Sequence, residues 1–198
     1  MASLLPRYKQ IFSIRQDGLF TTGLLLAWLA LCFSHCQAPK SSEELFTSNF
    51  QVQEQQLTAT LKEIQHTGSI DTARLQALAT GLSLVEKRQY AEAIPALRDW
   101  LLVPPPQPET PVYAYLRAIA RFYLAQAFMS IGDTGAATLL LTVVSNDPAF
   151  LLPNDARWYL ALCQIKNKRP EAARPLLQTV AASTSGYAPP ATRLLKQL

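Results

Sequence analysis

The side chains able to do chemistry are few and scattered. His35 and His66 are the two histidines, too few for a metal site built on several imidazoles. Cys32 and Cys36 sit in or beside an apolar run and Cys163 stands far downstream, so no disulfide framework emerges. The run Cys32-Phe33-Ser34-His35-Cys36 does not have the spacing of a haem attachment site. Glu43 with Glu44, and Asp99 with Glu109, are paired carboxylates only in the linear sense. There is no Gly-x-Ser-x-Gly, no glycine loop to cradle a phosphate and no His-Glu-x-x-His. An enzyme, a cofactor, a metal site and a small-molecule substrate are therefore not expected. What the chain offers in quantity is recognition by apolar and aromatic side chains, and that depends on the elements carrying them.

Those elements repeat. Tyr123-Leu124-Ala125, Ala136-Ala137, Leu140-Leu141 and Val144 recur 36 residues later as Tyr159-Leu160-Ala161, Ala172-Ala173, Leu176-Leu177 and Val180. A fixed period in the thirties marks an array of helical hairpins. Asp71 reads as the cap of a first helix running to about Lys87, with Leu75, Leu78, Leu82 and Val85 on one face. A return helix follows from Ala91 to Leu102, with Ala93, Leu97 and Trp100 inward. The run Pro104-Pro105-Pro106-Gln107-Pro108 cannot be helical and reads as a surface loop. Thr110 before Pro111 is a cap followed by the helix position that tolerates proline, opening a long helix to about Ile131. Gly132-Asp133 turns the chain into a return from Ala136 to Ser145. Asn154 is expected to cap Asp155 to Lys166, with Pro170 to Ala182 returning. Pro189-Pro190 open a last helix, Ala191 to Leu198, whose leucines cover the exposed end of the array. Pro95 and Pro175 each lie two residues beyond an aligned alanine, near the start of a return helix, where proline costs few hydrogen bonds.

On these residues the segment from Asp71 to Leu198 resembles the tetratricopeptide repeat (TPR) family. The resemblance implies an all-α array of about three helical hairpins, at about 71–103, 111–148 and 154–183, with a capping helix at 190–198. In that family small residues sit where the two helices of a hairpin cross. The matching pairs here are Gly81 with Ala93, Ala125 with Ala137, and Ala161 with Ala173. Cys163 aligns with Ala127 and is read as packing. The first unit departs by carrying Thr80 where the family prefers leucine, and the third by lacking the turn glycine, with Lys168-Arg169 instead. The chain also resembles single-span bacterial envelope proteins that carry such repeats near the C-terminus. The run Ala156-Arg157-Trp158-Tyr159-Leu160-Ala161-Leu162 and the closing helix carry that likeness.

Upstream, residues 1–17 are basic, with Arg7, Lys9 and Arg15 against Asp17. Residues 18–39 carry no Asp, Glu, Lys or Arg and are strongly apolar from Leu19 to Phe33. A basic flank before an apolar segment keeps the N-terminus in the cytoplasm. Three outcomes stand beside one another: a retained membrane anchor, a cleaved signal segment, or lipid attachment at Cys32 or Cys36 after processing. Leu29-Ala30-Leu31-Cys32 resembles a bacterial lipoprotein signal, though Leu31 stands where a small residue is usual. A buried helix of a soluble protein is the fourth reading. Residues 40–70 form a polar connector, with a short amphipathic helix expected at 54–65 and with Phe46, Phe50 and Val52 expected to dock on the repeats. The formal net charge is +4, but the part from Lys40 onward is nearly neutral, so no concentrated basic face points to nucleic acid.

The family likeness implies a concave face built from the first helix of each hairpin. Its positions are Leu78, Leu82 and Val85, then Phe122, Gln126 and Met129, then Trp158, Leu162 and Ile165. Almost all are apolar, which suits an amphipathic helix or extended peptide, with Trp158 or Phe122 as anchor. The rival occupant is residues 44–65 of this same chain. Lys166, Lys168, Arg169 and Arg174 cluster at the third turn, where a solvated turn is expected, the alternative being a seat for an acidic tail or lipid headgroups. The expected job is that of a membrane-tethered adaptor or scaffold in the bacterial envelope. Its repeats would lie on the far, periplasmic side of the inner membrane, or be lipid-anchored if processed, and would bind a protein or peptide. The alternative is a structural subunit or lipoprotein of an envelope assembly, its groove filled by its own N-terminal segment.

Overall fold

The first helix begins where serine and glutamate satisfy each other. Ser41 Oγ accepts from the Glu44 amide at 3.2 Å, and Glu44 Oε2 accepts from the Ser41 amide at 2.8 Å. This reciprocal cap fills two of the donors that a helix start leaves open. It opens α1, Ser42–Asn49. The chain is seen in a computed structural model that describes residues 39–52 and 70–198. Apart from Pro39, the expected span at 18–39 lies outside the described residues, with Cys32 and Cys36, as does the expected helix at 54–65. Among the described residues no helix is long and apolar enough to cross a membrane.

The described residues from Lys40 to Leu198 belong to one unit, built of helices with no strand among them. Three hairpins follow α1: α2 (Thr72–Glu86) with α3 (Tyr90–Leu102), α4 (Pro111–Ser130) with α5 (Thr134–Val144), and α6 (Pro153–Lys166) with α7 (Pro170–Ala181). A closing helix, α8 (Ala188–Leu195), packs on α7. Each helix packs on the next, and the first helices of successive hairpins touch, α2 with α4 and α4 with α6. This is the layout of a repeat array in which each unit buries its face on a neighbour. The sequence register holds closely. The return helices begin at Tyr90, Thr134 and Pro170, which are equivalent positions, and Pro95 and Pro175 fall at one place inside α3 and α7.

The crossing points are tight. Ala93, Ala125, Ala137, Ala161 and Ala173 have no exposed surface, and Gly81 is buried. A Cβ placed on Gly81 would stand 2.7 Å from Leu97 Cδ2, so here the crossing leaves no room for a methyl group. The three hairpin turns share a backbone conformation as well. Arg88, Gly132 and Lys168 hold φ of 59°, 87° and 60°. Only the middle turn uses the residue that adopts this region freely.

Some local expectations are corrected. Asp71 precedes α2 but makes no side-chain capping bond. Asn154 is not a cap, since α6 starts one residue earlier at Pro153 and Asn154 Oδ1 accepts instead from Arg157 Nη1 at 2.8 Å. The closing helix starts at Ala188 and ends at Leu195, three residues earlier than the sequence suggested at each end. Pro189 and Pro190 fit inside its first turn, where their missing amides would have had no partner. Thr110 does cap α4, accepting from the Tyr113 amide at 3.2 Å. The proline loop before it is pinned by Arg74. That guanidinium donates to the carbonyls of Val103 and Pro104, at 2.7 and 2.8 Å, and to the Tyr113 hydroxyl. It also lies over the Tyr113 ring, 4.7 Å from the centroid.

Candidate functional site

All nine positions of the expected concave face are core. Leu78, Leu82 and Val85 on α2, Phe122, Gln126 and Met129 on α4, and Trp158, Leu162 and Ile165 on α6 are each no more than 2% exposed. The first helices lie side by side, so these faces meet one another. Over α6 there is also a cover, formed by α1 and the run to Val52.

That cover is held by apolar, polar and charged contacts together. Leu45 and Phe46 are buried, and Phe50 and Val52 pack against the core. Phe46 stacks on Phe50 with centroids 5.2 Å apart, and Phe50 meets the Tyr159 ring edge-on at 6.1 Å. The Tyr159 hydroxyl donates to the Gln51 carbonyl at 2.7 Å. Lys166, from the basic cluster at the third turn, pairs with Glu43 and lies over the Phe46 ring. Burying an aromatic side chain of this size stabilises by about 1.5–3 kcal/mol, whereas a partly exposed ion pair contributes about 0–1 kcal/mol. Attachment therefore rests on the two phenylalanines and Leu45 more than on the ion pair.

The same helix carries the closing helix. Trp158 stacks on Tyr187 with centroids 5.4 Å apart and planes within 14°. The Tyr187 and Tyr159 hydroxyls stand 2.9 Å apart. Asp155, at the start of α6, accepts from Ser185 Oγ at 3.0 Å. Phe122 extends the aromatic chain inward, at 5.5 Å from Tyr159 and 5.0 Å from Phe150. Of the expected anchors, Trp158 thus holds the closing helix, and Phe122 packs inside the array. Burial pushes the Tyr159 and Tyr187 phenols above their ordinary value of 10.0, and pushes the Cys163 thiol up to about 12. Neither phenol is poised for proton transfer at neutral pH, and the thiol is not a ready nucleophile.

Beyond Phe50 the surface opens into a cleft of about 1030 Å³. Ser48 to Val52, Trp158, Tyr187, Arg88 and Arg193 are among the residues that line it. No carboxylate is among the described residues that line it. Sequence reasoning singled out Trp158 and placed Lys166 in its basic cluster, but passed over Tyr159 and Tyr187 as site residues. The usable signal was the capping box Ser41-x-x-Glu44, which announces a helix in a segment otherwise read as connector. Among the described residues no group of three or more His, Cys, Asp and Glu side chains is placed to hold a metal ion.

The model of the tetratricopeptide repeat family matches residues 78–149 and 134–188, together more than half of the chain. Neither the curated proteins nor the solved structures yield a match.

Proposed function

The chain belongs to the tetratricopeptide repeat family, and on that premise we propose that it is a membrane-tethered scaffold of the bacterial envelope that binds a protein segment on the inner side of its array. Proteins of this family generally mediate protein–protein interaction through their repeats. The observation that carries the reading is the manner in which residues 42–52 lie on α6. An amphipathic helix seated on the first helix of a hairpin is the kind of contact a partner segment would make. The tether and the envelope setting rest on the basic N-terminal flank and the uncharged segment at 18–39.

A second reading has its own observation. Leu45 and Phe46 are as buried as much of the core, which suits a structural subunit whose inner face is filled permanently by its own N-terminal segment. Deleting residues 41–52 from the full chain separates the two. A deleted chain that keeps its helical circular dichroism and cooperative melting supports the scaffold with an accessible face. Collapse of both supports the structural subunit. Membrane fractionation of the full chain tests the tether, and recovery wholly in the soluble fraction would contradict it.

A further inference from the structure

We infer that the run from Val103 to Pro108 is a recognition element in its own right, a polyproline II edge held in place by Arg74 and read by a partner domain with an aromatic-lined groove. This goes beyond the reading above, because here the chain is the ligand and the inner side of the array plays no part.

The conformation follows from the residue types. Proline fixes φ near about −65° and pushes the residue before it toward extended or polyproline II backbone. Val103, Pro104, Pro105 and Gln107 each precede a proline. The ends of the loop agree, with Val103 at φ −70° and ψ 122° and Thr110 at φ −80° and ψ 151°. A polyproline II helix has three residues per turn and no internal hydrogen bonds. Val103 and Pro106 therefore share one edge and Pro104 and Gln107 a second, and all four residues are exposed. Pro105, half-buried, starts the third edge. Two adjacent open edges are what an aromatic-lined groove grips. Leu102, 76% exposed, and Val103, 48% exposed, add apolar surface at the start of the run. A leucine that open contributes little to the core.

The mount is rigid. Arg74 donates to the carbonyls of Val103 and Pro104, at 2.7 and 2.8 Å, and to the Tyr113 hydroxyl. Its own carbonyl accepts from Trp100 Nε1 at 2.9 Å, and Trp100 stacks on Tyr113 with centroids 5.5 Å apart. At the far end Glu109 pairs with Arg117 at 3.1 Å and Thr110 caps α4. Helix α4 begins twelve residues before Tyr123, whereas α6 begins six before the equivalent Tyr159. Those six further residues lengthen α4 by about 9 Å at the end that carries the loop. A flexible linker needs neither the clamp nor the extension. A ligand loop gains from both, because ordering done in advance is not charged to binding.

The probes are a purified SH3 domain and a purified WW domain, two folds that read polyproline II, each labelled with fluorescein and titrated with the full chain by anisotropy. The expected result is saturable binding of at least one domain, competed by a free peptide of residues 101–110. The full chain should bind about tenfold tighter than that peptide, the cost of fixing roughly one residue's backbone. Pro104→Ala, Pro106→Ala changes only exposed side chains, so it should melt as the parent does and bind at least about tenfold more weakly. Arg74→Ala should bring the full chain down to the affinity of the peptide. Binding of neither domain overturns the proposal, as does equal binding by the parent and the double proline variant. Binding no tighter than that of the peptide also overturns it, a comparison that needs no substitution and so stands even where Arg74→Ala does not fold. None of these outcomes bears on whether a partner meets the inner side of the array.

Discussion

The hydroxyl of Tyr159 stands 2.9 Å from that of Tyr187 and donates at 2.7 Å to the carbonyl of Gln51. One phenol on α6 thus joins the N-terminal cover to the C-terminal closing helix, residues that are distant in sequence. Tyr159→Phe removes the shared hydroxyl and leaves two oxygens short of a partner. The expected cost is about 1–3 kcal/mol, above that of Tyr187→Phe, which leaves the Gln51 bond intact. Chemical denaturation of both variants checks the order.

Alkali should unfold the chain. Burial, the largest cause in each case, raises the phenols of Tyr123, Tyr159 and Tyr187 above 10.0. The unfolded state then loses its phenol protons at lower pH than the folded state. The stability these tyrosines contribute is whole below pH 10 and is lost as pH rises beyond it. Phenolate absorbance should appear in two steps, exposed tyrosines first and the buried set together with loss of helix. A single gradual step with the fold intact would count against this.

Much of this architecture is legible in the sequence, and the reason is local. The repeated Tyr-Leu-Ala and Ala-Ala runs fix which helices cross, and the Thr110-Pro111 pair fixes where α4 begins. Both signals act within one or two turns of helix. The site was harder to see because it is made by distant residues. Nothing near Tyr159 says that its hydroxyl will meet Gln51, 108 residues earlier. The apolar inner positions read equally well as an open groove or as core, because apolar side chains alone do not say what covers them. Their burial here shows neighbouring faces meeting and, over α6, the docked segment.

The third turn should be improvable. Lys168 holds φ of 60°, in a region that costs a residue with a Cβ roughly 1–2 kcal/mol. Gly132 serves the equivalent turn of the second hairpin. Lys168→Gly is expected to raise stability by about 1 kcal/mol after the added freedom of the unfolded chain is counted. A lower melting temperature would mean that the lysine side chain matters more than its backbone.

The first hairpin should resist the change its neighbours already carry. Gly81→Ala improves helix propensity by about 1 kcal/mol, yet the new methyl would press on Leu97, which has no exposed surface. Overpacking of this kind typically costs about 1–3 kcal/mol. The net effect is expected to be a loss of about 1 kcal/mol, measured by denaturant titration, with Gly81→Ala, Leu97→Val recovering part of it.

The central claim is that the inner side of this array is where another protein meets it. The direct measurement is photo-crosslinking in bacterial membranes, using full chains with a benzophenone amino acid at Asn49, beside the cleft, or at Gln178, on the exposed side of α7. The account predicts a discrete crosslinked species from position 49 that is absent from position 178. No product from position 49, or the same products from both positions, would contradict it.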